Sequence, residues 1–197
     1  MKLIWAAAHW RTLGALKLKL PKFKYHPDPI KSGSIVPSEN ECECCGEKRG
    51  YIYKGSPYAE EELVDCICPW CIADGSVHDK FDAEFTDYAG IGDYGSWDEV
   101  PDSVKEEVAF RTPGFVGWQQ ERWWTHCSDA AEFIEIGGKS EVAKYDQSLI
   151  GSLKNDCGLE GSDLNNYINA LDKENGPTAY IFRCLHCGNY GGYSDIH

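Results

Sequence analysis

Paired cysteines constrain this chain more than any other feature of its sequence. Cys42 and Cys45 form one pair and Cys68 and Cys71 a second, in the spacing C-x2-C-x22-C-x2-C. Two intervening residues let both thiolates of a pair turn toward one ion, and two such pairs supply the four tetrahedral sulfurs that Zn2+ prefers. Gly46 directly follows the first pair and suits the positive φ of a tight turn around a metal. The sequence therefore predicts a zinc site made of these four cysteines.

The segments around these pairs predict a treble-clef-like zinc finger. Tyr51–Tyr53 and residues 63–67 are expected to form two strands, with turn residues Gly55, Ser56 and Pro57 after the first. Pro69 suits the first turn of a short helix. This places Cys68 and Cys71 at a helix N-terminus, where the helix dipole favours a thiolate. We predict a zinc module that spans about residues 38–78.

A third cysteine pair, Cys184 and Cys187, lies near the end of the chain and indicates a second metal site. Cys184 and Cys187 repeat the Cys-x-x-Cys-Gly form and need two further ligands. His126 and Cys127 are the leading candidates because they offer both ligand types side by side, although adjacent residues in a regular strand point to opposite faces. The alternative is that Cys127 and Cys157 are ordinary buried residues. The other ligands left open are Cys44, Cys66, Cys157 and His186.

Charge is distributed unevenly along the 197 residues. The formal net charge is −13, but residues 1–32 contain seven basic side chains and one acidic one, which leaves a balance of −19 for the remainder. Direct nucleic-acid binding needs clustered lysine and arginine, so the composition argues against it. An acidic folded body can attract basic partners. The alternative is that the acidity serves solubility alone.

The N-terminal residues do not resemble an export signal. The apolar run after Lys2 is interrupted by His9 and Arg11 before it reaches signal-peptide length, and no stretch approaches the roughly 18–20 apolar residues of a membrane helix. We therefore expect a cytoplasmic protein that does not contact membranes, with most of its cysteines on metal rather than in disulfides. Residues 1–19 contain no acidic side chain and are predicted to be a poorly ordered extension.

The rest of the chain predicts an α+β body over residues 79–197. We expect one helix that opens at Asp102 and ends before Pro113, a second over residues 140–155, and a third capped by Ser162. Strands are expected over residues 118–125, around Tyr180, and over residues 190–193. The fold class is thus α+β, in which the zinc module joins a body that ends in a zinc-ribbon-like knuckle.

Several segments together resemble one bacterial family. These are residues 20–29, 42–45, 68–75, 81–83, 118–119, 126–127 and 184–188. Their joint pattern is similar to the CbrC family, which is associated with tolerance to a nuclease-type colicin. The resemblance runs from about residue 20 to the C-terminus and favours a single domain over residues 20–197. It implies a role in protection against a toxin and supplies no catalytic mechanism.

Three functions are compared at this stage. The first is a non-enzymatic, zinc-stabilised immunity or tolerance protein whose acidic surface, from Asp79 to Asp102, binds a basic partner such as a toxin nuclease domain; the alternative is that this run is only a solvated loop. The second is a zinc hydrolase, which the absence of a His-Glu-x-x-His motif disfavours. The third is thiol redox chemistry at Cys68 and Cys71, for which a second pair at metal-site spacing is the better explanation.

Overall fold

The computed structural model describes residues 19–196, so the predicted N-terminal extension lies outside the described residues except for Lys19. Within this range the chain is a mixed α+β structure with small antiparallel sheets. The strands are β1 Ile35–Pro37, β2 Tyr51–Tyr53, β3 Thr125–His126, β4 Asp129–Ala130, β5 Glu132–Gly137, β6 Thr178–Arg183 and β7 Tyr190–Asp195. The helices are α1 Pro69–Ala73, α2 Ser76–Phe81, α3 Asp102–Arg111, α4 Lys139–Val142, α5 Gln147–Cys157 and α6 Gly161–Ala170.

The N-terminal module is built around β1 and β2. These two strands pair antiparallel with Ile35 opposite Tyr53. Residues 63–67, predicted as a strand, instead make a single bridge between Ile67 and Tyr53. Asp65 adopts a positive φ of 50° in this segment. A left-handed residue cannot continue an extended strand, which explains why the predicted pairing is reduced to one bridge.

Helix α1 begins where the sequence predicts it. Pro69 occupies the first turn, where its missing amide hydrogen is not needed, and Cys68 is the N-cap residue in an extended conformation. The helix buries Cys71 and Ile72 against the module's apolar cluster. The second pair of cysteines is therefore held in the interior by a short helix.

The body is organised by the sheet β5-β6-β7 and its aromatic core. Phe133 lies opposite Phe182 in the pair β5–β6, and Tyr180 lies opposite Tyr193 in the pair β6–β7. Phe115 stacks on Phe133 at a centroid distance of 4.1 Å. These buried aromatic rings form the apolar core of the body.

Two glycines of β7 have neighbours that leave no room for a side chain. A Cβ on Gly191 would lie 2.2 Å from the Trp124 ring, and one on Gly192 would lie 1.9 Å from the Tyr180 carbonyl oxygen. Helix α5 is joined to the same strand by Ser152, which donates to the Gly192 carbonyl (2.7 Å) and accepts from its amide (3.0 Å). The glycines thus fit β7 against Trp124 and β6, and Ser152 holds α5 to the backbone of the strand.

The predicted strand over residues 118–125 is wrong except at its end. Only Thr125 and His126 form β3; residues 118–120 form a bend, and Trp123 makes a single bridge to Ile91. The amides at the start of this segment bond to side chains of the sheet rather than to a neighbouring strand. The Trp118 amide donates to the Tyr180 hydroxyl (3.0 Å), and the Gln119 amide donates to Asp195 (3.2 Å).

The predicted helix over residues 140–155 is divided into α4 and α5. The Asp146 carboxylate accepts the Ser148 amide (2.9 Å) and is the N-cap of α5, so a new helix begins there. The predicted cap of α6 by Ser162 is wrong, because Ser162 lies within the helix; Glu160 occupies the N-cap position without a capping hydrogen bond from its side chain. Helix α3 opens at Asp102 and ends before Pro113 as expected.

Among residues 19–196, no helix is both long enough and apolar enough to cross a membrane.

Candidate metal centres

The first candidate site brings together all four cysteines predicted for it. The sulfurs of Cys42, Cys45, Cys68 and Cys71 lie within 4.8 Å of one another. The separations are 4.0 Å for Cys42–Cys71, 3.9 Å for Cys45–Cys68 and 3.6 Å for Cys68–Cys71. Tetrahedral sulfurs bonded to zinc at about 2.3 Å lie about 3.8 Å apart. The donor set therefore fits a tetrahedral thiolate-bound metal in both chemistry and spacing.

The first pair is shaped by a tight backbone turn. The Gly46 amide donates to the Cys42 carbonyl (2.7 Å), and the Cys42 amide donates to the Glu47 carbonyl (3.1 Å). Gly46 has a φ of 70°, which is the left-handed conformation that the sequence predicts for this position. These bonds close a loop that turns both sulfurs of the pair inward. We call such a loop a knuckle.

Hydrogen bonding favours a thiolate in this cluster even before a metal is considered. The pKa of Cys42 is lowered to about 4, first by the hydrogen bond from the Cys68 thiol and then, against the effect of burial, by backbone amides. One of these is the Cys68 amide, 3.2 Å from the Cys42 sulfur. The hydrogen bond from the Cys68 thiol to Cys42 raises the pKa of Cys68, because this thiol is the donor to a charged neighbour, and burial raises it further. A divalent cation would supply the positive charge that allows all four to ionise.

The second candidate site unites residues that are distant in the sequence. His126, Cys127, Cys184 and Cys187 offer ligand atoms within 4.8 Å of one another. The His126 Nδ1 atom lies 3.2 Å from the Cys127 sulfur and 3.5 Å from the Cys187 sulfur. Nitrogen and sulfur on one tetrahedral zinc are separated by about 3.5 Å. This set of three cysteines and one histidine therefore also fits a tetrahedral metal.

A tight turn removes the objection to adjacent ligands. His126 pairs with Asp129 at the end of the hairpin β3–β4. The two residues between them, Cys127 and Ser128, have φ values of 56° and 57°. Two consecutive left-handed residues form the type of turn that closes a two-residue hairpin. Because the chain leaves the strand immediately after His126, the Cys127 side chain can turn to the same point as the imidazole.

The second knuckle repeats the hydrogen bonds of the first. The Gly188 amide donates to the Cys184 carbonyl (3.1 Å), and the Cys184 amide donates to the Asn189 carbonyl (2.9 Å). Gly188 has a φ of 77°. Burial raises the pKa of the Cys184 thiol, but the amides of Cys187 and His186 outweigh it and bring the value to about 6. The two knuckles are thus the same local structure placed in different parts of the fold.

The ligand alternatives left open by the sequence lie outside both groups. Cys44 contacts the Ser76 hydroxyl at 3.5 Å, and Cys157 lies 3.8 Å from the Lys154 carbonyl oxygen of its own helix. Cys66 is half-buried, and burial raises its thiol pKa to about 11. His186 points its Nε2 atom at the Asp129 carboxylate, 3.0 Å away. None of the four is among the atoms grouped at either site.

A buried carboxylate that sequence reasoning missed supports the second site. Asp129 contacts His186 of the knuckle and accepts hydrogen bonds from the Tyr25 hydroxyl (2.7 Å) and the Lys24 ammonium (3.0 Å). Asp129 lies two residues after Cys127, so it joins the turn, the knuckle and the N-terminal segment. No spacing in the sequence indicates these contacts, because Asp129 lies 57 residues from His186 and more than 100 from Tyr25 and Lys24.

The two sites differ in exposure. In the first, the cysteines Cys42, Cys68 and Cys71 are at most 2% exposed. In the second, Cys184 is buried, His126 is half-buried, and Cys127 and Cys187 are exposed. Cys45 of the first cluster is exposed as well. Three of the four ligands of the first cluster thus lie in the apolar core of its module, whereas one of the four in the second, Cys184, is buried.

Fold and sites together define an α+β protein with two cysteine-rich clusters that can hold metal ions. The chain matches the family described as "Uncharacterised protein family (UPF0167)" over residues 20–196. It belongs to this family. The matched range begins where the resemblance read from the sequence motifs begins, although the name CbrC is not confirmed by this match.

Relatives in three bacteria are similar along nearly their whole length. UPF0167 proteins of Mycobacterium bovis and Mycobacterium tuberculosis are each 49% identical over 186 residues, which cover 90% of this chain and 94% of theirs. A UPF0167 protein of Pseudomonas aeruginosa is 41% identical over 170 residues, covering 86% of this chain and 93% of its own. No solved structure matches the chain.

Proposed function

We propose that this chain is a non-enzymatic, zinc-stabilised binding protein that acts in the cytoplasm by contact with a basic protein partner. The observation that carries the proposal is the composition of the two clusters. Each offers four protein ligands, which are four cysteines in the first cluster and three cysteines with one histidine in the second. Four protein ligands complete the tetrahedral shell of zinc, whereas catalytic zinc keeps a position for water or substrate. Both ions would then stabilise the fold, in a treble-clef-like module and a zinc-ribbon-like knuckle.

Thiol redox chemistry at Cys68 and Cys71 is the weaker alternative. Reactive thiols lie in partly exposed surroundings with a lowered pKa. Cys68 and Cys71 are 0% and 2% exposed, and the pKa of each is raised, that of Cys68 mainly through its hydrogen bond to Cys42 and that of Cys71 mainly by burial. Their environment suits a closed metal site better than exchange with a substrate disulfide. Hydrolysis is disfavoured by the complete ligand sets.

The acidic surface supports a basic partner. Asp98, Glu99 and Asp102 are exposed and lie within five consecutive residues of the sequence. Asp93, in the same predicted surface, is instead paired with Arg122 at 3.1 Å and so has an internal role. The −19 balance beyond residue 32 adds long-range attraction for a positively charged protein. The resemblance to a family associated with colicin tolerance makes a toxin nuclease domain the partner we propose.

Affinity capture from cells challenged with a nuclease toxin, with zinc measured on the same sample, tests the partner. The association rate of the captured partner is then compared between two triple variants of this chain. One neutralises Asp98, Glu99 and Asp102; the control neutralises the exposed acidic run Glu60, Glu61 and Glu62, with the same change in net charge. We expect the first to slow association about fivefold more than the control, with zinc retained in both. Equal rates for both variants would overturn the proposed surface.

A further inference from the structure

A polar cleft lies beside the second metal cluster. It has a volume of about 820 Å³ and is bounded by α5, the start of β7, β3 and the loop around residues 93–98. Its acidic lining consists of Asp93, Asp98 and Asp156, and Arg122 is the basic side chain among its lining residues. The cleft is therefore acidic overall.

Arg122 neutralises two of these carboxylates and leaves the third. Its guanidinium lies 3.1 Å from Asp93 and 2.8 Å from Asp156. It also lies over the Tyr193 ring, 4.2 Å from the centroid. Among residues 19–196, no lysine or arginine lies within salt-bridge distance of Asp98, whose carboxylate accepts the Ser128 amide at 3.4 Å. Asp98 thus remains an available acceptor at the cleft.

Aromatic rings complete the walls. Trp97, Trp124 and Tyr190 line the cleft together with the acidic groups. Carboxylates combined with aromatic faces bind guanidinium and ammonium groups, because both carry negative potential toward the cation. Asp98 also belongs to the exposed acidic segment proposed above as the partner surface. The cleft is therefore continuous with that surface.

We propose that the cleft receives a lysine or arginine side chain of the basic protein partner, and that metal in the second cluster maintains its shape. The inference rests on the proposed function and names the chemical group that the partner would insert. Net acidity, an aromatic wall and a position next to the acidic segment all favour a cationic side chain over an anion or an apolar group.

The link to the metal follows from shared segments. His126, a candidate ligand, lines the cleft, as do Asn189 and Tyr190, which directly follow the second knuckle. Thr125, next to His126, donates its hydroxyl to the Asp98 carbonyl oxygen (2.7 Å). Metal that orders the turn and the knuckle therefore orders two walls of the cleft. Binding of metal and of the basic group are then mutually reinforcing.

Gly151 offers a way to test the cleft without disturbing the fold. It lies within α5 at the cleft wall, and a Cβ added there would meet nothing within 4 Å. Gly151→Lys places a cation in the cleft and Gly151→Glu a carboxylate, and each residue favours the helix more than glycine does. Matched controls are Asn166→Lys and Asn166→Glu on the exposed surface of α6.

The probe is a fluorescent peptide of alternating arginine and glycine, (Arg-Gly)4, measured by anisotropy at low salt. We expect Gly151→Lys to weaken its binding at least about fivefold relative to Gly151→Glu, while the Asn166 pair differs by less than about twofold. Equal affinities at position 151, or the same difference at position 166, would overturn the cleft. If the variant of Asp98, Glu99 and Asp102 still slowed association of the captured partner, the proposed function would stand even where the peptide results overturned the cleft. If that variant did not slow association, both proposals would fail.

The metal link is tested with Cys187→Ser, which removes an exposed ligand of the second cluster, against Cys157→Ser, which removes a cysteine outside both clusters. We expect the first variant to contain one zinc fewer and to bind the peptide several-fold more weakly, with the control unchanged. A reciprocal measurement uses the unaltered protein: bound peptide should slow zinc loss from the second cluster to a chelator. Unchanged peptide affinity after metal loss, or unchanged zinc release with peptide, would overturn the link.

Discussion

At the scale of single residues, the clusters depend on groups that hold each sulfur in place. Cys42 accepts the Cys68 amide at 3.2 Å, and Cys184 lies 3.4 Å from the His186 amide. Such bonds favour the thiolate, which is the form that binds metal. One thiolate in each cluster is therefore favoured by a backbone amide, from a second ligand for Cys42 and from its own knuckle for Cys184.

Replacing one buried cysteine tests the first site. Cys68→Ser should lose one zinc per chain and lower the free energy of unfolding by about 4 kcal/mol or more, because metal binding is coupled to folding of the module. Zinc content and thermal melting measure both effects. Cys66→Ser is the matched control, since Cys66 is a half-buried cysteine outside the cluster. Retained zinc and unchanged melting in Cys68→Ser would contradict the assignment.

A buried histidine makes stability depend on pH. His26 is about 1% exposed, and its ring lies 2.7 Å from both the Pro113 carbonyl oxygen and the Ser32 hydroxyl. Burial lowers its pKa from 6.5 to about 4. The carbonyl can only accept, so Nδ1 carries the proton and the neutral ring is the folded form.

The unfolded chain therefore binds a proton at this histidine at a higher pH than the folded chain does. Stability from this residue is full above pH 6.5 and is lost as the pH falls toward 4, by about 3 kcal/mol in total. Denaturant titrations at several pH values should show a slope in this window that His26→Gln lacks. Parallel slopes for the two proteins would show that His26 is not buried in its neutral form.

At the scale of elements, close contacts between secondary structures set the geometry of the body. The Trp124 ring lies against Gly191 of β7, where a Cβ would be only 2.2 Å from it. Trp124 also stacks on His126 at a centroid distance of 5.1 Å. The packing of Trp124 on β7 is thus connected to the position of a candidate ligand.

Adding one methyl group tests this contact. Gly191→Ala should destabilise the protein by about 1–3 kcal/mol, because the new Cβ would lie 2.2 Å from the Trp124 ring. Gly151→Ala in α5 is the control and should stabilise by up to about 1 kcal/mol, since its space is open and alanine favours helices. Urea unfolding measures both. A Gly191→Ala variant as stable as Gly151→Ala would contradict the packing described.

The different placement of the knuckles predicts different metal retention. Three of the four ligands of the first cluster are buried and only Cys45 is exposed, whereas both Cys127 and Cys187 of the second are exposed. A chelator should therefore remove metal in two phases, with the second cluster at least about tenfold faster, because its ligands open with little unfolding. Cys187→Ser should abolish the fast phase alone. Loss of the slow phase in that variant would reverse the assignment.

At the scale of the whole molecule, an acidic body with two metal clusters should act through charge. Long-range attraction raises the association rate and is screened by salt, while contacts made after docking govern dissociation. The cleft, the exposed acidic segment and the second cluster share Asp98 or its neighbours. The proposed partner surface and the second candidate metal site therefore share one surface of the body.

Salt should change the two rate constants differently. For the basic partner recovered by capture, the association rate should fall about tenfold between 50 mM and 500 mM salt, while the dissociation rate changes by less than about threefold. Surface plasmon resonance with zinc-loaded protein measures both. A salt effect confined to dissociation would contradict charge-steered encounter.

The sequence by itself determined the local features of this chain. Two residues between cysteines, a glycine after each pair and a proline at position 69 act within one turn of backbone, so the knuckles and the start of α1 follow from spacing alone. The α+β class also followed from the periodicity of apolar residues. Residues 63–67 and 118–125 were misread because β-forming side chains are equally suited to irregular segments whose amides bond elsewhere.

Only the tertiary structure decided which knuckle meets which partner. His126 and Cys127 reach Cys184 and Cys187 because a two-residue turn follows β3 and because Asp129 joins that turn to His186. The cleft beside Arg122 likewise combines α5, β3, β7 and a loop. Contacts across fifty or more residues depend on how sheets and helices pack, and pairwise spacing in the chain contains no record of that packing.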